Sequence, residues 1–328
     1  MKKTTIFKIV FVLAVILIVC KVLSGQWSDI SRELKEMTWV TVLLLSLCSI
    51  FFNIFEGFCY YTMGKKYNKD MRAVDGIGCS YYCAFFKLST LGSGTAAAGM
   101  FYLNGKKVDV SKSFGMITIN YMLQKVAIAF LCIVFFVFNF VHMKRLYSDY
   151  FGYLILGIFA TVLVAACLLL VILWEKLHSF LIFIGNKIAR TEKLKCLVEK
   201  LEAKITEIRT ESHEIIKDKK FLWKMFIFNV IKFFGWYMMP CVILGYDSPE
   251  EIFLGLSISA LATAIIGVIP SPGAIGSTEA IFYALFLVVS TKPEAMAIML
   301  LYRCFTYILP FLIGTIYILI RKLISGIS

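Results

Sequence analysis

The apolar stretch Ile252–Ile269 runs into Pro270-Ser271-Pro272-Gly273-Ala274-Ile275-Gly276-Ser277-Thr278-Glu279, and Thr278–Ser290 then resumes as a short helix. Two prolines without N–H donors and two glycines cannot continue an α-helix. Inside a bilayer such a break frees backbone groups, which is tolerated only where protein or water covers them. One other stretch reads this way. Ile77–Leu103 is apolar, but its middle is Ser89-Thr90-Leu91-Gly92-Ser93-Gly94-Thr95-Ala96-Ala97-Ala98-Gly99. The expectation is a helix broken at Gly92–Gly99 and another broken at Pro270–Gly276, each a re-entrant hairpin.

The rest of the chain supplies the bilayer context. Of 328 residues, 60% are hydrophobic, and mean hydropathy is +0.82. A water-soluble domain cannot hide that much apolar surface. The apolar residues form blocks near the ~20 residues that cross ~30 Å of hydrocarbon. These are Ile6–Leu23, Thr38–Tyr61, Phe114–Val141, Tyr150–Trp174, Phe221–Leu244 and Ala295–Ile320. The expected fold is therefore all-α. It is a polytopic transmembrane helix bundle of about six full spans plus two re-entrant helical hairpins entering from opposite faces, one integral membrane domain over 1–328. Broken helices that meet from opposite sides are a feature of transporters built from inverted repeats.

Formal net charge is +13, with the cations between the apolar blocks. That distribution points to topology and anionic headgroups rather than to nucleic acid. The lysine and arginine bias places both termini, the Lys65–Arg72 loop, the Lys106–Lys112 loop and Glu175–Lys220 on the cytoplasmic side of a cell membrane. Within 175–220, Leu194, Val198, Leu201, Ile205, Ile208, Ser212 and Ile215 alternate four and three apart, the stripe of a cytoplasmic amphipathic helical insertion. The N-terminal Lys2, Lys3 and Lys8 before Ile9–Val19 resemble a signal peptide, but no small-x-small site follows. An uncleaved first helix is expected.

Ten cysteines lie mostly in apolar stretches, without a CxxC pair or a histidine at zinc-ligand spacing, so neither a disulfide framework nor a metal site is expected. There is no GxSxG, HExxH, Walker or Rossmann pattern, and no cofactor or catalytic residue is assigned. Ionisable side chains within apolar blocks are costly and mark functional positions. They are Glu56, Lys87, Lys125, Lys232, Glu279 and Arg303, accompanied by Asn53, Asn120, Gln124 and Asn229. Glu279 starts the helix after the second break, where the helix dipole favours an anion. Arg303 either pairs with it structurally or meets an anionic headgroup directly. Glu56 snorkels or pairs, Lys125 snorkels, and Tyr81, Tyr82, Tyr102 and Tyr121 anchor at interfaces.

The run Pro270–Glu279, followed by Arg303, resembles the signature of the lysylphosphatidylglycerol synthase transmembrane region, a flippase-like family. More loosely, Phe86 through Gly94, Tyr102-Leu103 with Gly105, and Tyr121 with Gln124 resemble its first re-entrant segment and the next helix. The chain departs from the pattern at Thr90-Leu91, where members commonly have a proline, and at Ala96-Ala97-Ala98, where polar or cationic residues are common. The resemblance implies a membrane protein that binds or translocates an anionic or aminoacylated phospholipid, of the lysyl-phosphatidylglycerol type. Arg303, Glu279, Lys87, Gln124 and Gly94 would contact substrate, and Pro270, Pro272, Gly273 and Gly276 would form the structural turn. The family name implies phosphatidylglycerol lysyltransferase, but that chemistry belongs to a soluble domain expected to be absent here. The alternatives are a membrane subunit of a lysylphosphatidylglycerol or glycolipid synthase whose soluble part is a separate chain, and, more weakly, a small-solute transporter. A homo-oligomer remains open.

Overall fold

The computed structural model describes residues 38–173, 215, 217–269 and 271–325. The expected first span Ile6–Leu23, most of the 175–220 insertion, and Pro270 lie outside the described residues. Of the amphipathic stripe only Ile215 is described, and it is fully buried.

The chain is an all-α polytopic membrane bundle, with no strand among the described residues. Its helices are α1 (Trp39–Tyr67), α2 (Ala73–Ser89), α3 (Thr95–Asn104), α4 (Val110–Phe138), α5 (Phe140–Leu146), α6 (Phe151–Leu173), α7 (Lys219–Leu244), α8 (Pro249–Ile266), α9 (Ser277–Phe286), α10 (Lys292–Arg303) and α11 (Leu309–Ser325). Six segments among the described residues are long and apolar enough to cross a membrane: Trp39–Tyr67, Val110–Phe138, Ser148–Leu168, Lys219–Leu244, Pro249–Ile266 and Lys292–Leu323. Pro249–Ile266, expected as one arm of a hairpin, is thus long enough to span on its own. Large apolar side chains such as Leu43, Leu47, Phe138, Leu156 and Phe159 point outward, which in a membrane protein is the lipid-facing surface.

The helix starts are legible in sequence. Asp109, Asp218 and Ser248 cap α4, α7 and α8 by accepting from the N–H groups of Ser111, Phe221 and Glu251. Pro249 sits at the first position of α8, where its missing donor is harmless. At the centre α1 packs on α7 and α2. Glycines let these backbones approach: a Cβ at Gly235 of α7 would lie 2.6 Å from the Cys48 carbonyl of α1, and one at Gly57 of α1 would lie 2.6 Å from the Ile77 Cα of α2.

Polar contacts tie the helix ends together. Lys106 Nζ, just beyond α3, lies 2.7 Å from Asp75 Oδ1 in the first turn of α2, and Asn68 donates to the Lys106 carbonyl at 2.8 Å. The α2–α3 pair thus leaves and returns to one end of the bundle. Lys66 pairs there with Asp218 at 2.6 Å, and the Arg321 guanidinium lies 4.7 Å from the Tyr102 ring centre. That end gathers the cationic loops. Partial burial pushes the Asp75 pKa up, but the hydrogen bonds from Lys106 and Arg72 and their charges outweigh it and hold the carboxyl below its ordinary value. The hydrogen bond from Lys66 does the same for Asp218, helped by the Phe221 N–H. The second pair is inverted. Helix α7 starts at the cationic end, so α8 starts at the other, and Tyr147 at that other end donates to the Leu285 carbonyl near the end of α9 at 2.7 Å.

Several expectations change. The run Ala96-Ala97-Ala98-Gly99 lies inside α3, because alanine is the best helix former. The break is confined to Thr90–Gly94. Phe114–Val141 ends at Phe138, and Ala295–Ile320 is interrupted by a π-helical turn at Cys304–Ile308. Tyr102 is not at an interface: it is 1% exposed, and its hydroxyl meets that of Tyr317 at 2.6 Å.

Candidate functional site

The two breaks have related backbones and touch. Leu91 and Gly92 have φ of 51° and 91°, and Gly273 and Ala274 have φ of 61° and 55°. Positive φ is uncommon for leucine and alanine and free of steric penalty for glycine. A Cβ built on Gly273 would stand 3.4 Å from the Leu91 carbonyl, and one on Gly92 would stand 3.6 Å from the Gly273 Cα. The first break is closed by Thr90, whose Oγ1 donates to the Phe86 carbonyl and accepts from the Gly94 N–H at 2.7 Å. Gly94 is the residue just before α3.

The second break is held by one arginine. Arg303 is 8% exposed. Its Nε donates to Glu279 Oε1 at 2.7 Å, and its terminal nitrogens reach the carbonyls of Gly273 at 3.3 Å and Ala274 at 2.5 Å. Glu279 Oε2 accepts from the Gly276 N–H at 2.7 Å. The side chain that starts α9 thus caps it and anchors the guanidinium. Gly276 has φ of 81°, and Pro272 opens the short 3-10 turn Pro272–Ala274. Lys125, on α4, also reaches this region, donating to the Gly267 carbonyl at the end of α8 at 3.1 Å.

Beside the first break lies a cavity of about 480 Å³. Its walls come from α1 (Asn53, Glu56), α2 (Ser80, Lys87), the break itself (Gly92, Ser93), the start of α3 (Thr95, Ala96), α4 (Thr118, Asn120, Gln124), Trp236 of α7, Thr306 in the π-helical turn and Pro310 at the start of α11. Tyr121 and Ser93, which also line it, are exposed, so the cavity opens between the break and α4. Of the residues expected to contact substrate, it brings together Lys87 and Gln124. Gly94 lies between two lining residues, Ser93 and Thr95. Arg303 and Glu279 are not among its lining residues.

Two charged residues line the cavity, Glu56 and Lys87. Glu56 Oε2 is 2.5 Å from Lys232 Nζ, and Lys232 is fully buried; opposite charges so placed neutralise each other. Lys87 has no carboxylate partner among the described residues. Its ammonium rests 4.2 Å from the Tyr307 ring centre and 5.1 Å from that of Trp236. The Arg303 guanidinium is 4.3 Å from the centre of the same Tyr307 ring. Tyr307, in the π-helical turn, therefore joins the second break to the cavity.

Sequence reasoning singled out Asn53, Glu56, Lys87, Asn120 and Gln124 separately but did not join them into one wall, and it missed Ser80, Thr118, Trp236 and Thr306. Ser80 donates to Asn53 Oδ1 at 3.3 Å, and Asn229 donates to Asn120 Oδ1 at 3.0 Å. The signal was the opposite charge of Glu56 and Lys232 in two apolar helices, which invites a pair. Among the described residues no cluster could hold a metal ion.

The family described as Lysylphosphatidylglycerol synthase TM region matches residues 5–314 of the chain. No curated protein matches it.

Proposed function

Because the chain belongs to the lysylphosphatidylglycerol synthase TM region family, we propose that it binds an anionic or aminoacylated phospholipid in the cavity beside the first break and passes the headgroup between leaflets. The observation that carries this is Lys87, a cation lining a cavity of about 480 Å³ without a carboxylate partner among the described residues. A cation in a low-dielectric, protein-lined cleft attracts a phosphate. Gln124, whose amide makes no hydrogen bond to a described residue, would add a donor, and the free N–H groups at the start of α3 add positive potential. The opening between the break and α4 is proposed to face lipid, so that acyl tails stay outside while the headgroup is inside. The hairpins are proposed to dip into the bilayer from opposite faces, with the cationic end and both termini cytoplasmic in the cell membrane. Arg303 and Glu279 contribute by keeping the second break in contact with the first.

The test is transbilayer movement of fluorescent phosphatidylglycerol in proteoliposomes. Wild type accelerates it, and Lys87→Gln slows it at least about tenfold, the loss of about 1.4 kcal/mol of headgroup interaction. Equal rates for the two would sink the assignment of Lys87.

A further inference from the structure

We infer that Tyr307 is a positioning residue for the cavity cation: its ring, set by the π-helical turn, holds the Lys87 ammonium at the wall and leaves it charged for an incoming anion. The inference rests on the lipid-binding reading above and adds to it a residue outside the cavity's lining. Lys87 lies in the last turn of α2. Its stem is long and flexible, and such an ammonium tends to snorkel toward water. A carboxylate would fix it but cancel its charge, as Glu56 does for Lys232 at 2.5 Å. An aromatic face acts differently, because the ring quadrupole attracts a cation and carries no net charge. Lys87 Nζ lies 4.2 Å from the Tyr307 ring centre and 5.1 Å from that of Trp236, both within the ~6 Å over which that attraction acts. The ammonium is thus preorganised, and an anion can take it from a ring rather than from an ion pair.

The ring is in turn set by the helix that carries it. Cys304–Ile308 is a π-helical turn, a widened turn found frequently at functional sites. Ser49 of α1, itself buried, donates to the Phe305 carbonyl at 2.5 Å, and the Thr306 hydroxyl donates to the Tyr302 carbonyl at 2.6 Å. One turn thereby presents Thr306 to the cavity and Tyr307 to Lys87. Arg303, at the end of the preceding helix, brings its guanidinium within 4.3 Å of the same ring centre while it stays bound to Glu279 and the Ala274 carbonyl. Two cations converge on one ring, whose negative face offsets their repulsion. Without the ring that attraction is gone, and the Lys87 stem regains the rotamer freedom to swing away from the wall.

The experiment measures binding of phosphatidylglycerol to the full chain in nanodiscs. Tyr307→Leu should weaken it about fivefold, about 1 kcal/mol, whereas Tyr307→Phe, which keeps the ring, should stay within about twofold of wild type. In the Lys87→Gln background Tyr307→Leu should have no further effect, because the ring acts through that ammonium. Unfolding in detergent is followed for every variant, and Tyr307→Met takes the place of Tyr307→Leu if the latter does not fold. Failure of both to fold would make Tyr307 a packing residue and overturn the inference. Equal losses in the two backgrounds, Tyr307→Phe as weak as Tyr307→Leu, or Tyr307→Leu as tight as wild type would each overturn it too. In those cases lipid binding stands so long as Lys87→Gln still weakens it. A wild type that binds no lipid, or binding indifferent to Lys87→Gln, overturns the lipid reading and the inference with it.

Discussion

The two helix breaks share a backbone device and differ in what becomes of the nearby cation. Each uses a pair of positive-φ residues, Leu91-Gly92 and Gly273-Ala274. At the second, Arg303 is consumed by Glu279 and two carbonyls. At the first, Thr90 closes the turn with a single hydroxyl, and Lys87 is left to face the cavity. A break stapled by its own charges is a fixed abutment; a break closed by a neutral side chain leaves a cation for a ligand. The difference separates two roles that look alike in sequence.

That contrast can be broken most directly at Arg303. Arg303→Ala leaves the half-buried Glu279 carboxylate and two carbonyls without their donor, and should destabilise the protein by about 1–3 kcal/mol. Thermal unfolding in detergent reads this. Arg303→Lys should recover little, because one ammonium cannot span a carboxylate and two carbonyls as a planar guanidinium does. Full stability of Arg303→Ala would mean that the second break does not depend on its staple.

The touching glycines come next. Gly273→Ala and Gly92→Ala each force a Cβ into the left-handed region, at about 1–2 kcal/mol. Because the two residues are in contact, the double variant should depart from the sum of the singles. Strict additivity would show that the breaks are independent.

Lys87→Gln tests the other side of the comparison. It should lower stability by no more than about 1 kcal/mol, the worth of its contacts with Tyr307 and Trp236. Copurified phospholipid, read by native mass spectrometry, should nevertheless fall. A large loss of stability with unchanged lipid would make Lys87 a structural group like Arg303.

The smallest effect lies away from both breaks and serves as the control. Asp218 is held below its ordinary pKa by Lys66 and the Phe221 N–H. Its stabilisation is therefore present above its unfolded value of about 4 and is lost as pH falls through the lower folded value. Being surface-exposed, the pair contributes little. Asp218→Asn should remove a shallow acid-side slope from the unfolding midpoint and leave lipid binding unchanged.

Much of this was legible in the residues. Block lengths gave a polytopic bundle, and proline and glycine content located the second break, with Glu279 at the head of the helix after it. The first break lies at Thr90–Gly94 rather than at Gly92–Gly99, because alanine, though small, favours helix. Glu56 and Lys232 were visible as charges in apolar helices, but 176 residues separate them, and no local pattern links them.

The sequence by itself determined that the chain lives in a membrane and where its helices fail, because hydropathy and backbone propensity are local properties. Only the tertiary structure decided which charges are used up and which remain. Whether Arg303, Lys87 or Glu56 meets a ligand depends on the partner that packing brings within hydrogen-bond distance. The breaks singled out at the start thus have unequal parts: one holds itself together, and the other lines the cavity.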